Sequence, residues 1–297
     1  MATLYTHQQN NIYKTWFLMA MFLAIVIAVG YVAAALMGNP AILYGAIIFA
    51  LVMNVGSYWF SDKLVLRMTN AAPADPTQHR ELINIVENLS ITAGLPMPKV
   101  YVVNDPAPNA FATGRNPEHA VVAATTGLLQ ILNRSELEGV MAHELAHVGN
   151  RDMLVMTVAV VLAGFVAMVA DFLMRAMLFS GDDRGRSPIF LILAVVGILL
   201  APLAAQLMQM AVSRKREYLA DATGALLTRY PEGLASALEK ISGYARPMQS
   251  ASHATAHLFI SDPFGGGGRR MAQRIGGLFH THPPAAERIK RLREMSV

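Results

Sequence analysis

The sequence predicts a mainly α-helical protein with a small β-sheet, in which a four-helix transmembrane part carries a polar domain on one side of the membrane. Three observations predict it. Hydrophobic residues make up 54% of the 297 positions and charged residues only 15%, with a mean hydropathy of +0.38. That is too apolar for an ordinary soluble domain. Four runs of 18 to 25 residues carry no charge, and they come as two pairs. Polar stretches with helical and strand patterns follow each pair. The expected division is 1–60, a membrane hairpin; 61–152, the first part of the polar domain; 153–212, a second membrane hairpin; and 213–297, the second part of the domain.

Composition also excludes some classes. There is no cysteine, so there is neither a disulfide nor a thiolate metal ligand. The net charge is +4, and no basic run interleaved with aromatics points to nucleic acid. The positive charges fit the ends of membrane spans instead, so the lipid bilayer is the partner that composition implies.

Trp16 to Leu36 is 21 residues without a charge, enough to cross a hydrocarbon core of about 30 Å. It is too long for a signal-peptide core, so it is read as retained. Gly38-Asn39-Pro40 is a tight turn. Ala41 to Phe60 is a second span that closes on the interfacial aromatics Tyr58, Trp59 and Phe60. Beyond it, Leu82, Ile83, Val86 and Leu89 predict a helix over 80–93, closed by Gly94. Lys99 to Val103, Asn109 to Thr113 and Ala120 to Ala124 predict three short strands. The segment Asn109, Ala110, Phe111, Ala112 and Thr113 has two readings: an ordinary edge strand, or an edge that pairs with an extended peptide.

The chemistry lies in Ser135 to His147, which contains His143-Glu144-Leu145-Ala146-His147. On a helix, residues four apart lie on one face. His143 and His147 can therefore hold one Zn2+ per chain, with Glu144 placed to act on a water at that ion. Chance supplies on the order of 0.01 such patterns in a chain of this size. Ser135 and Glu138 predict a capping box that starts the helix, and Gly149-Asn150 predict its end.

Met153 to Ala170 and Pro188 to Val212 form the second apolar pair, with Asp171 and Arg175 near the membrane boundary and Pro202 expected to kink its helix. Lys14, Lys63, Arg67, Arg151, Arg214, Lys215 and Arg216 fall on one side of four spans; Arg175, Arg184 and Arg186 fall on the other. Seven against three puts the first side in the cytoplasm. Residues 61–152 and 213–297 then share a compartment and can build one site.

A catalytic zinc takes three protein ligands and leaves one position open. Glu217 and Asp221 follow the fourth span, four apart on one helix face. Glu217 is either the third ligand, with Asp221 bonded to the far nitrogen of a histidine, or a partner of nearby Arg and Lys. His253 and His257 are also four apart but have Ala254 in place of a base; they read as a surface helix pair or a second metal site. Gly265 to Gly268 reads as a flexible loop. An amphipathic helix is expected over 232–246 from Leu234, Leu238, Ile241 and Ala245, and another after Pro283-Pro284 from Ile289 and Leu292.

His143-Glu144-Leu145-Ala146-His147 with Glu217-Tyr218-Leu219-Ala220-Asp221 downstream, and a membrane pair between them, resembles the HtpX family. These are integral-membrane zinc proteases related to the CAAX prenyl proteases. Asn109 to Gly114 resembles the strand that flanks substrate in that family, and His282-Pro283-Pro284 adds to the likeness. The resemblance implies a gluzincin-like catalytic domain facing the cytoplasm of the bacterial inner membrane. It implies zinc on His143, His147 and Glu217, and stress-linked proteolysis of misfolded or membrane proteins. It further makes His282 and Arg288 candidates to orient substrate or meet the oxyanion; otherwise they are a helix-start histidine and a solvated arginine. The competing class is a scaffold or adaptor holding zinc structurally, which would call for four ligands. A metal transporter would need ligands inside the spans, and the candidates lie outside them.

Overall fold

The structure, a computed structural model, describes residues 4–159, 161–162, 164–166, 214–244, 246–249, 255–263 and 283–295. Two helices in it are long and apolar enough to cross a membrane. α1 (Leu4–Met37) and α2 (Ala41–Trp59) form an antiparallel hairpin. Gly38 turns the chain at φ 64°, and the Asn39 side chain accepts from the Ala41 N–H at 3.0 Å. Gly30 lets α1 close directly on Ala46 of α2. The outer faces are unusually apolar for exposed surface: Phe17, Tyr44, Ile48, Val52 and Val55 all face outward, as lipid contact requires. Trp16 stacks on Tyr58 near one end.

α3 (Ser61–Met68) leads into a four-stranded mixed sheet. Its strands are β1 (Ala71–Pro73), β2 (Lys99–Val103), β3 (Ala110–Thr113) and β4 (Val121–Thr125), ordered β1-β2-β4-β3. β2 and β4 run parallel, with Tyr101 opposite Ala123; the other two pairings are antiparallel. The sheet thus has one strand more than expected, since β1 is too short and polar-flanked to show a pattern. α4 (Arg80–Ala93) is closed by Gly94 at φ 63°, as its sequence predicts.

α6 (Arg134–Gly149), after the short α5 (Thr126–Ile131), is the central helix. It is buried continuously from Gly139 to His147, enclosed by one face of the sheet, by α4 and by the C-terminal helices. The start of α6 differs from expectation. Asn133, not Ser135, is the cap: its Oδ1 accepts from Glu136 N at 3.0 Å, and Glu136 Oε2 accepts from Asn133 N at 2.8 Å. Lys240 Nζ also pairs with Glu136 Oε2 at 2.7 Å, while Glu138 pairs with Arg134 at 3.2 Å.

After Gly149 the chain turns through Arg151, whose φ is 56°, into α7 (Asp152–Val166), bent 85° from α6. Taken together α6 and α7 pass as a third span by length and composition. However, α6 is walled in by protein, and α7 is covered as well: Asp152 to Ala159 are buried, and Leu154, Val158 and Leu162 pack on Leu18 and Phe22 of α1. Asp171, Arg175, the 180–187 loop and Pro202 lie outside the described residues.

α8 (Arg214–Thr228), α9 (Pro231–Ser242) and α10 (Ala285–Arg293) complete the domain. α9 stops at Ser242, and Ala245 lies outside the described residues. Two glycines permit the close packing on α6. A Cβ at Gly139 would lie 2.6 Å from the Leu234 nitrogen, and one at Gly224 would lie 3.0 Å from the His143 nitrogen. His257 is buried in a 3₁₀ turn, Ala256–Leu258, so the surface-helix reading of the 253/257 pair fails there; His253 lies outside the described residues. So do Gly265 to Gly268 and His282.

Candidate active site

α6 and α8 cross where Gly224 lets them touch, and this brings His143, His147 and Glu217 together. Each offers one ligand atom, and all three atoms lie within 4.8 Å of one another. His143 Nε2 and His147 Nε2 are 3.2 Å apart, and the Glu217 carboxylate is 3.7 and 3.6 Å from them. Donors about 2.0–2.2 Å from a tetrahedral zinc are spaced about 3.3–3.6 Å from each other, so the residues fit the ion. All three are buried, at 1%, 5% and 3% exposure. Two imidazoles and one carboxylate are the donor set of catalytic zinc; among the described residues this group has three members, not the four of a closed structural site.

The far side of each imidazole has its own carboxylate. His143 Nδ1 is 3.0 Å from Asp221 Oδ1, and His147 Nδ1 is 3.3 Å from Asp152 Oδ2. Both Nε2 atoms are thereby turned toward Glu217. The Asp221 contact matches the expectation for that residue. Asp152 escaped sequence reading; the one signal for it was a carboxylate opening the third apolar run, where lipid disfavours charge.

Burial lowers the His143 imidazole to about 4 against the opposing Asp221 bond. Burial works the same way on His147, but its bond to Asp152 and the Glu217 charge outweigh it and lift it to about 9. Glu144 is buried beside them, and burial pushes its carboxyl up to about 7; the Ala112 backbone N–H bonded to it pulls the other way. A carboxyl balanced there can take up and give back a proton near neutral pH.

Arg288 is neither solvated nor at the surface. It is 1% exposed, the largest fully buried side chain described. Its Nε and Nη2 grip Asp221 at 2.9 and 2.6 Å, Nη1 donates to Ile260 O at 3.0 Å, and Glu217 Oε2 is 3.7 Å away. Burial alone would raise the Asp221 carboxyl, but Arg288 and His143 hold it down at about 2. Arg288 thus braces the carboxylates behind the donor set.

β3 lies at the sheet edge, and all of Asn109 to Thr113 is buried. The edge is not open along its whole length. Ile260 N donates to Ala110 O at 2.9 Å, and Phe111 bridges Phe259. The Asn109 side chain bonds the Ser261 backbone in both directions, at 3.0 and 3.3 Å. Residues 259–261 therefore already pair with the start of this strand.

The model of Peptidase family M48 matches residues 76–296. The chain belongs to peptidase family M48. It is a zinc metallopeptidase with membrane helices, and a non-catalytic scaffold finds no support. Among M48 relatives, the "Protease HtpX homolog" of Caldanaerobacter subterraneus subsp. tengcongensis is 47% identical over 304 residues, covering 99% of both chains. Those of Tropheryma whipplei and Burkholderia multivorans are each 48% identical, covering 98% and 95% of this chain and 98% and 97% of theirs. The crystal structure of S. mikatae Ste24p shares the fold, with a TM-score of 0.51 at 18% identity over 94% of this chain and 67% of that one.

Proposed function

We propose that His143, His147 and Glu217 hold the zinc and that Glu144 is the general base of peptide hydrolysis. One observation carries this: two Nε2 atoms and a carboxylate converge while each Nδ1 is held by a separate aspartate. Zinc bound there lowers the pKa of water from about 15.7 toward 7 and polarises a carbonyl. Glu144 takes the proton of the attacking water and delivers it to the leaving amine. Asp221 and Asp152 fix the imidazole tautomers, and Arg288 keeps Asp221 ionised.

The polypeptide lies extended along β3. Because residues 259–261 occupy Asn109, Ala110 and Phe111, its register runs from Ala112 through Thr113 to Gly114. His282, just before α10, meets the oxyanion. The substrates are misfolded or membrane proteins, and the role is stress-linked quality control, as the relatives' resemblance supports. The chain is multi-pass: residues 153–212 form a second hairpin, the catalytic parts are 61–152 and 213–297, and both face the cytoplasm of a bacterial inner membrane.

Glu144→Ala tests the reading. Proteolysis of an unfolded substrate is abolished while zinc content stays near one per chain; retained turnover removes Glu144 from the base role.

A further inference from the structure

The C-terminal end of α6 leaves carbonyls with no partner in the helix, as every helix does. Here membrane helix α1 supplies the donors. Gln8 Nε2 donates to Gly149 O at 2.7 Å. Asn11 Nδ2 donates to Asn150 O at 3.1 Å and to Asp152 Oδ1 at 2.6 Å. Gln8 and Asn11 are three apart and share one face of α1. Asp152 turns its other oxygen to His147. Asn11 and Asp152 are both buried, at 5% and 1% exposure, so water does not compete for these bonds.

We propose that Asn11 is a positioning residue for metal binding: α1 fixes the plane of the Asp152 carboxylate and, through it, the His147 ring. This rests on His147 being a ligand. A carboxylate bonded only to His147 is free to rotate about its χ2. A primary amide at 2.6 Å on the opposite oxygen removes that freedom. A neutral donor also suits the task. Asn11 leaves Asp152 its full charge to orient the imidazole, whereas a cation equally close would compete for it. The Arg216 Nε stands farther off, at 3.9 Å.

The length of α1 makes the contact possible. Its 34 residues span about 51 Å at 1.5 Å per residue, against a hydrocarbon thickness of about 30 Å. The polar first turns therefore run beyond the lipid and reach the end of α6. The N-terminal hairpin is then part of the support of the metal site, as well as an anchor.

The test measures zinc affinity by competition with a chromophoric chelator, on the full chain in detergent. Asn11→Asp keeps the shape but replaces the donor with a second carboxylate. Its zinc dissociation constant rises about tenfold or more, within the 10–100-fold range for groups that orient metal ligands. Asn54→Leu is the control. Asn54 ties α2 to α1 through Met19 O at 3.2 Å and touches nothing at Asp152. It leaves the affinity within about twofold, although it loosens the same hairpin.

Placed in an Asp152→Asn background, Asn11→Asp costs at most about twofold, because the introduced amide at position 152 can donate to the introduced carboxylate. Unchanged affinity in Asn11→Asp overturns the proposal. So does a loss in Asn54→Leu as large as that in Asn11→Asp, or a full Asn11→Asp loss in the Asp152→Asn background. His147→Ala separates this inference from the reading beneath it. If that variant keeps zinc, the ligand set is wrong; if it loses zinc while Asn11→Asp does not, only the role of Asn11 falls.

Discussion

A Cβ on Gly224 would lie 3.0 Å from the backbone nitrogen of His143, closer than two such atoms ordinarily approach. The pair marks where α8 presses on α6. Glu217, Asp221 and Gly224 are spaced four and three apart, so they lie on one face of α8. That face delivers the proposed zinc donor, the carboxylate behind His143 and the contact that sets their distance. The neighbour is helix backbone, which cannot swing aside as a side chain can. Gly224→Ala is therefore expected to push the helices apart, at about 1–3 kcal/mol of overpacking. Zinc affinity should fall about tenfold while helical content by circular dichroism is kept. Wild-type affinity would show that the ligands tolerate a looser crossing.

Arg288 and Asp221 form a buried, two-bonded ion pair behind His143. Removing one member of such a pair strands the other charge, at a cost of about 3–5 kcal/mol. Arg288→Met should lower stability by that amount in denaturant unfolding. Arg288→Lys restores charge but not the planar fork, so it should recover only part of the loss. A surface role predicts less than about 0.5 kcal/mol for either variant.

The two candidate caps of α6 give a direct comparison. Asn133→Ala should destabilise the protein by about 1 kcal/mol, because Asn133 Oδ1 accepts from Glu136 N. Ser135→Ala should cost less, since its hydroxyl only donates to Asn133 Oδ1. Thermal unfolding of both variants checks the order, and the reverse order would restore Ser135 as the cap.

That comparison also shows where sequence reading stops. Asn133-x-x-Glu136 and Ser135-x-x-Glu138 satisfy the same local rule, so the local pattern does not choose between them; the Lys240 that pairs with Glu136 comes from 104 positions away. What local pattern does determine was legible: α4 with its Gly94 stop, β2, the two N-terminal membrane helices, and the helix that puts His143 and His147 on one face. Asp221 was legible because it shares a helix face with Glu217. Asp152 was not, because its approach to His147 depends on the 85° turn between α6 and α7 and on Arg151 at φ 56°. Asn11 was further still from view, on a helix that pattern alone reads as a membrane span. The occupied edge at Ala110 was hidden for the same reason, since its partner Ile260 comes from 150 positions later in the chain.

Orientation in the membrane can be tested without background, because the chain has no cysteine. Lys14, Lys63, Arg67, Arg151, Arg214, Lys215 and Arg216 flank one side of the proposed spans, and the positive-inside rule puts that side in the cytoplasm. Gln8 and Asn11 near the start of α1 bond to the end of α6, so the proposed topology has the start of α1 on the same side as the metal site. In the proposed topology the loop between the two spans of the second hairpin emerges on the opposite side. Ser180→Cys should react with a membrane-impermeant maleimide added from outside intact spheroplasts. A cysteine placed at exposed Glu118 should react only after lysis. Labelling of position 180 only after lysis would remove the second crossing or reverse the orientation, and labelling of position 118 in intact spheroplasts separates reversal from a missing crossing.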